Sequence, residues 1–412
     1  MPELILALDV GTTTARAAVF EPGGTRIGLA GQRLETRSPA PGVAEQDAEA
    51  VWQAVRRAID KALAEAGRLP TDIAAIGVTT QRASLVAWDR RTGVPLTPLV
   101  LWSDPRGDAR AGELRAAGFF VSAQQAACKA EALLAELTPD PERVAIGGID
   151  SLLIARLSGA HVTDRSQAWP LGWLDLASLD WNGALLEHQR LSPTLLPRLI
   201  DTYGPIAETR AVVFGAAVPI TACIADQQAA LFVHGSEPGT AKITFGTAAA
   251  IDRDTGGELT FKGADLPPLI VAHVAGATRW CVEGMVADAG PAIDRSGEAP
   301  APREHLALRL REIADVLLAP DADLKVDGGL TRDDGLMQTC ADLLQRRLTR
   351  FAGGEATVAG AALAAGIGAG LLTEADRPGF GRYDRAFTPT IAAGEADTRF
   401  EAWRRRLTAP AS

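Results

Sequence analysis

Cysteine is scarce and scattered. Cys128, Cys223, Cys281 and Cys340 are the only four in 412 residues, and no two stand in a CxxC spacing. That argues against a disulfide framework or a thiolate metal site and predicts small buried thiols in a reducing cytoplasm. Basic residues are in deficit: 41 Lys and Arg face 51 Asp and Glu, for a formal charge of −10. This argues against nucleic acid or an anionic membrane as the main partner. The opening residues lack a basic segment ahead of their apolar run, so no secretory leader is expected. A membrane-spanning run is missing too. The longest uncharged stretch, Val358 to Thr373, is too short and too Gly-rich to cross a bilayer and reads as a buried helix. There is no Walker A motif and no GxGxxG after the first strand, which disfavours P-loop and Rossmann sites. No short-period repeat is visible.

What is present fits an ordinary globular protein, with 47% apolar and 22% charged residues. The length allows two or three domains. Apolar Leu4–Leu8 leads into Asp9-Val10-Gly11-Thr12-Thr13-Thr14-Ala15-Arg16, and Ala17–Phe20 continues as a second strand, so the Gly-Thr segment is a tight hairpin. Val51, Ala54, Val55, Ile59 and Leu63 recur at helical spacing over Asp47–Ala66, with Asp47 as N-cap. Strands are expected at Ile73–Thr79, Leu85–Trp88 and Leu99–Trp102. The second half repeats the theme: Ala241–Ile251 is again strand, Gly-Thr turn, strand, followed by a strand at Leu269–His273. Helices are expected at Glu304–Leu318 and Leu336–Leu344, with a strand at Leu324–Val326 between them. The Ala-, Pro- and Gly-rich segment 287–303 reads as a linker. Alternating strands and helices mean an α/β architecture, and the paired hairpins suggest a duplicated domain with a cleft between the copies.

In the first hairpin, Gly11 allows backbone N–H groups to face outward, and Thr12 and Thr13 add hydroxyls. Such a nest suits a phosphate, Asp9 suits a hydrated Mg²⁺, and Arg16 adds positive charge; the plain alternative is a polar β-turn. The second turn, Thr244-Phe245-Gly246-Thr247, and the strand end Val326-Asp327-Gly328-Gly329 make three phosphate- or nucleotide-compatible loops in one chain. Asp226 follows the apolar stretch Ile220–Ala225 and precedes a helix. It therefore suits both a general base at a strand's C-terminal end and a helix N-cap.

The order of Asp9-x-Gly11-Thr12-Thr13-x-x-Arg16, Gly77-Val78-Thr79-Thr80-Gln81-Arg82, Trp102-Ser103-Asp104-x-Arg106, Ala225-Asp226-Gln227-Gln228, Lys242-Ile243-Thr244-Phe245-Gly246-Thr247 and Val326-Asp327-Gly328-Gly329 resembles the FGGY carbohydrate kinases, most closely the glycerol kinase branch. Gly42–Asp47, His161-Val162-Thr163-Asp164, Leu336–Asp342 and Ala359–Ala362 fall between or after these motifs and fit as well. The resemblance implies two actin-like (ribonuclease H-like) ATPase domains around a cleft, residues 1–232 and 233–412, with the second reduced around 287–303. It implies ATP and Mg²⁺ as cofactors, and Asp226 as the base that deprotonates the attacking hydroxyl. Thr12, Thr13 and Arg16 then hold phosphates with Gly11, and Asp9 lies near Mg²⁺. Gly246 and Thr247 form the second phosphate loop, and Gly328 with Gly329 the adenosine-side loop. Arg82 and Trp102 resemble the residues that hydrogen-bond and stack on a polyol, with Gln227 as a hydroxyl partner. Their plain alternatives are a surface Arg, a core Trp and a helix-turn Gln. Asp104 and Arg106 are expected to form a structural ion pair. A homodimer is normal for the family, though no interface is legible here.

The pattern breaks in two places. Ala83 stands where glycerol kinases carry Glu, Gln124 falls at a pocket Tyr, and Ala250 lies near an aromatic position. Losing a carboxylate and two rings predicts a wider pocket that suits a larger polyol or ketose better than glycerol. The stretch from Glu283 to Val326 is also short for the family, and Ala132 replaces the Trp of the signature around Lys129. Of a second signature, His305 and Glu312 remain. The expected activity is phosphorylation of a polyol or sugar hydroxyl. The alternatives are a catalytically weak or inactive relative that senses a sugar or nucleotide, and a different phosphotransferase or ATPase on the same fold.

Overall fold

The computed structural model describes residues 2–135, 137, 142–263, 266–287, 289–290, 300–320 and 322–408. The chain forms two compact units. The first comprises Met1–Ala229, Ile270–Thr278 and Thr357–Phe380; the second comprises Ala230–Leu269, Arg279–Ala356 and Gly381–Ser412.

In the first unit, β1 (Leu4–Val10), β2 (Thr14–Phe20) and β3 (Arg26–Arg33) form an antiparallel meander. Helix α1 (Ala48–Ala66) packs across β2 and β3. Its N-terminus is set by Asp47, whose carboxylate accepts the N–H groups of Glu49 and Ala50, and Gly67 ends it in the left-handed region. Its buried face is Val51, Trp52, Ala54, Val55, Ala58, Ile59, Ala62 and Leu63, the stripe the spacing predicts. Then β4 (Ile73–Thr80) pairs parallel with β1. After a short helix, α2 (Arg165–Leu171), come β5 (Tyr203–Glu208) and β6 (Pro219–Ala225), the latter parallel to β4. The sheet order is β5-β6-β4-β1-β2-β3. Helix α3 (Asp226–His234) starts directly at the end of β6.

The second unit repeats this arrangement. β7 (Ala241–Phe245) and β8 (Ala249–Gly256) form a hairpin, and β9 (Ala277–Val286) pairs antiparallel with β8. Helix α4 (Pro300–Leu317) leads to β10 (Leu324–Asp327), parallel to β7. Helix α5 (Asp334–Leu344), β11 (Leu348–Phe351) and the antiparallel edge strand β12 (Tyr383–Phe387) follow. The run β9-β8-β7-β10-β11-β12 matches β3-β2-β1-β4-β6-β5 in strand directions. Only the edge strand differs in chain order: it precedes its neighbour in the first unit and follows it in the second.

Several expected boundaries shift. Helix α4 begins at Pro300, so 300–303 are helix rather than linker; residues 288 and 291–299 of that segment lie outside the described residues. Proline is tolerated there because the first turn's N–H groups need no intrahelical partner. The strand expected at Leu99–Trp102 ends at Val100, because the carbonyls of Leu101 and Trp102 are taken by the Lys129 ammonium. The uncharged stretch is a buried helix, Ala356–Gly368. It lies so close to its neighbours that a Cβ at Gly360 would fall 1.8 Å from the Ala229 carbonyl oxygen, and one at Gly77 would fall 2.3 Å from that of Ala361. Among the described residues no helix is long and apolar enough to cross a membrane. All four cysteines are buried free thiols.

Candidate active site

At the first turn, Asp9 on β1 stands opposite Arg16 on β2, and Arg16 Nη1 lies 3.3 Å from Asp9 Oδ2. The Gly11 N–H closes the turn onto the Thr14 carbonyl at 3.1 Å. Thr12 is held on three sides. Its carbonyl accepts from Gln46 Nε2 at 2.6 Å, its hydroxyl donates to Gln81 Oε1 at 3.2 Å, and the same hydroxyl accepts the Trp102 indole N–H at 3.1 Å. Thr13 is exposed. The indole bond joins a residue expected at the substrate to one expected at the phosphates.

Behind Trp102 sits Lys129, a fully buried lysine that donates to the carbonyls of Leu101 at 2.8 Å and Trp102 at 3.0 Å. Burial pushes its ammonium down to about 8, against the opposing pull of Asp104. Asp104 itself is buried. Its hydrogen bonds from Arg106 and the Ala44 N–H overcome the burial penalty and hold its carboxyl below the ordinary range. Arg106 bridges Asp104 at 2.8 Å and Glu45 at 2.5 Å, the structural ion pair the sequence suggests.

Strands β4 and β6 pair in register up to Thr80 opposite Ala225, so the residues just beyond them emerge at the same end of the sheet. Arg82 and Asp226 are those residues. Arg82 Nε lies 3.7 Å from Asp226 Oδ1, with both side chains largely buried. Asp226 Oδ1 also accepts the Gln227 N–H at 2.8 Å in the first turn of α3 while facing the arginine. Gln227 is half-buried in the first turn of α3. Ala83 follows Arg82 with φ +56°, a left-handed conformation unusual for alanine.

In the second unit, Gly246 and Thr247 form the β7–β8 turn, with the Gly246 N–H on the Ala248 carbonyl at 2.9 Å. Gly328 sits against this turn at φ +94°, where a Cβ would fall 2.3 Å from the Phe245 carbonyl oxygen; only glycine fits. Gly329 is exposed beside it. The two loops are thus brought together. Beneath them runs a buried polar chain. His234 Nε2 lies 2.9 Å from Asp327 Oδ2, Asp327 Oδ1 accepts the Thr244 hydroxyl at 2.7 Å, Lys242 donates to that hydroxyl at 2.6 Å, and Lys242 pairs with Asp252 at 2.8 Å. Burial pushes His234 down, while the surrounding carboxylates hold Lys242 up despite burial.

The residues group by unit. Asp9, Gly11, Thr12, Thr13, Arg16, Arg82, Trp102, Asp226 and Gln227 belong to the first, and Gly246, Thr247, Gly328 and Gly329 to the second. Among the described residues no group of three His, Cys, Asp or Glu side chains could hold a metal ion; Asp9 is paired with Arg16. Ser166 and Gln167 carry no motif signal of their own, and Lys129 is legible only as part of a signature, without its partners.

Residues 4–233 match the FGGY family of carbohydrate kinases, N-terminal domain, and residues 270–369 match its C-terminal domain. Glycerol kinase from Dechloromonas aromatica is 32% identical, with 98% of this chain and 97% of that protein covered. Glycerol kinase from Acinetobacter baylyi is 30% identical, with 98% of each covered. That alignment runs over 484 positions against 412 residues here, so the relative has segments this chain lacks. Among solved structures, Plasmodium falciparum glycerol kinase with ADP superposes with a TM-score of 0.88 at 20% identity, covering 98% of this chain and 97% of that one. A ligand-bound xylulose kinase from Lactobacillus acidophilus gives 0.84 at 18% identity, covering 99% of each. The architecture is therefore the two-domain actin-like, ribonuclease H-like fold, and the chain belongs to the FGGY family of carbohydrate kinases.

Proposed function

We propose that the protein transfers the γ-phosphate of ATP to a hydroxyl of a polyol or ketose larger than glycerol, with Asp226 as the general base. The observation that carries this reading is the Arg82–Asp226 contact at 3.7 Å, at the shared end of two parallel strands. A carboxylate there can accept the proton of an acceptor hydroxyl while the neighbouring guanidinium orients the polyol. Asp226 takes the proton as the hydroxyl oxygen bonds to the terminal phosphorus, and the pair of the broken P–O bond leaves with ADP. Phosphoryl transfer needs little more from a protein than such positioning and charge stabilisation. Trp102, fixed by its indole bond to Thr12 and by Lys129 at its carbonyl, offers a face for the carbon skeleton. Gln227 supplies a further hydroxyl partner.

The glycines support nucleotide binding. Gly11 and Gly246 have no positive φ, and a Cβ at either would meet no other atom of the protein closer than 3.7 Å. Internal packing therefore does not demand glycine at either turn, whereas close approach of a phosphate to bare N–H groups does. Thr12, Thr13 and Arg16 are the phosphate-binding candidates at the first turn and Thr247 the one at the second, with Gly328 and Gly329 the adenosine-side candidates. Bound ATP with Mg²⁺ would supply the transferable group and its counter-charge. Asp9 would help hold that ion, a hard oxygen donor of the kind Mg²⁺ takes.

The preference against glycerol rests on Ala83, Gln124 and Ala250. None of the three can provide the carboxylate or the rings that a glycerol-sized pocket uses. Kinase assays with glycerol and with four- to six-carbon polyols and ketoses test this reading. Higher kcat/KM for the longer acceptors is expected, and a preference for glycerol contradicts the pocket assignment.

A further inference from the structure

Helix α2 has only seven residues, yet two of its side chains grip the ends of two different strands. Ser166 Oγ accepts the N–H of Ala225 at 2.9 Å, the residue immediately before Asp226. Gln167 Nε2 donates to the Thr80 carbonyl at 3.0 Å and to the Thr80 hydroxyl at 2.8 Å, two residues before Arg82. Both residues hang from one carboxylate. Asp164 Oδ1 accepts the Ser166 hydroxyl at 2.9 Å and the Gln167 N–H at 3.1 Å. Its Oδ2 accepts the Ser166 N–H at 3.0 Å and the Thr202 hydroxyl at 2.8 Å. Thr202 is anchored in turn by the N–H of His273 at 2.9 Å.

Asp164, Thr202 and Thr80 are fully buried, and Ser166 and Gln167 nearly so. Burial pushes the Asp164 carboxyl up to about 7 against these hydrogen bonds, and in a water-free setting a small displacement has no solvent to fall back on. Beyond the Thr80–Ala225 pair, β4 and β6 have no further register with each other. Past that pair the Gln81 N–H is held by the Val10 carbonyl at 2.8 Å, and α2 adds a grip on Thr80 and on Ala225, the last residues of the two strands.

We propose that Asp164 is a positioning residue for phosphoryl transfer, holding the ends of β4 and β6 through Gln167 and Ser166 so that Arg82 and Asp226 stay in contact. The proposal rests on the reading of Arg82 and Asp226 as the acceptor-side pair. Asp164 touches neither; it acts through the backbone on either side. A residue that served stability alone would change the melting temperature and leave the chemistry of the folded enzyme untouched.

Ser166→Ala cuts the arm to Asp226, and Gln167→Met cuts the arm to Arg82 at similar volume. Each is expected to lower kcat by about tenfold with KM for ATP unchanged, since ångström-scale misplacement of a reacting group costs up to about a hundredfold. Ser166→Thr, which keeps the hydroxyl, restores most of the rate. Placed on an Arg82→Ala background, Ser166→Ala should cost less than about twofold, because both changes act through one contact. Crystal structures of wild type and the two variants read the Arg82–Asp226 separation without any need for turnover. If wild type shows no acceptor-dependent turnover, the proposed function fails while this separation still decides the positioning role. An unchanged separation in both variants overturns it, as does wild-type kcat in both or full additivity with Arg82→Ala. Should Ser166→Ala fail to fold, Gln167→Met decides alone by the same criteria.

Discussion

Replacing Lys129 with methionine isolates the energetics of a buried ammonium. Lys129 is fully buried and its ammonium is pushed from an ordinary 10.5 down to about 8, chiefly by burial. A shift of this size corresponds to about 3 kcal/mol of strain against the charged form, fully present below pH 8. Against it stand two hydrogen bonds, to the Leu101 and Trp102 carbonyls. Losing their donor costs roughly 1–3 kcal/mol per stranded carbonyl. At pH 7 the two effects nearly offset, so Lys129→Met should change unfolding stability little. The pH dependence is the sharper signature. Above pH 8 the folded chain releases a proton that the unfolded chain keeps until about 10.5, so raising the pH stabilises the wild-type fold. From pH 7 to pH 9 wild type should gain about 1.3 kcal/mol relative to the variant. The Cys128 thiol, pushed up to about 11 by burial, has the opposite sign; removing the Lys129 charge that pulls it down leaves it protonated in the folded variant as well over this pH range. Urea unfolding of both proteins at pH 7, 8 and 9 measures the difference. Parallel stability curves would refute the reasoning.

Two glycines should separate binding from folding. Gly328→Ala forces a Cβ to 2.3 Å from a carbonyl oxygen at positive φ and is expected to cost at least ~2 kcal/mol in denaturant unfolding. Gly11→Ala meets no such obstacle, so its stability should stay within ~0.5 kcal/mol while KM for ATP rises about tenfold or more. Equal effects of the two on stability would contradict the assignment of Gly11 to phosphate contact. Ala83→Glu places a carboxylate beside Arg82 and should raise the ratio of kcat/KM for glycerol over longer polyols by roughly tenfold; an unchanged ratio removes position 83 from the acceptor pocket.

Much of the architecture was legible because its signals are local. A strand, a Gly-Thr turn and a second strand follow one another directly in the sequence at Leu4–Phe20 and again at Ala241–Ile251, and both hairpins form. Asp47 caps α1 as its position before an apolar stripe suggests. The lateral order of the sheets was not legible, because β4 and β6 are neighbours although far apart in sequence. Position 300 looked like linker because proline usually interrupts helices, yet it opens α4, where proline is harmless. The partners of Trp102 were hidden for another reason. A lysine in a sequence reads as solvent-facing, and only the fold shows Lys129 with its ammonium on two backbone carbonyls. Asp164 could be read as a helix cap. Its link to Asp226 runs through neighbouring Ser166 to Ala225, a distant segment that only the fold brings alongside.

ADP release from ATP in the presence and absence of a polyol and ketose panel, for wild type and Asp226→Asn, tests the central claim most directly. The account predicts acceptor-dependent turnover by wild type, reduced by about a thousandfold or more in Asp226→Asn with the fold intact. Turnover that ignores the acceptor, acceptor binding without turnover, or an Asp226→Asn variant as fast as wild type would contradict it.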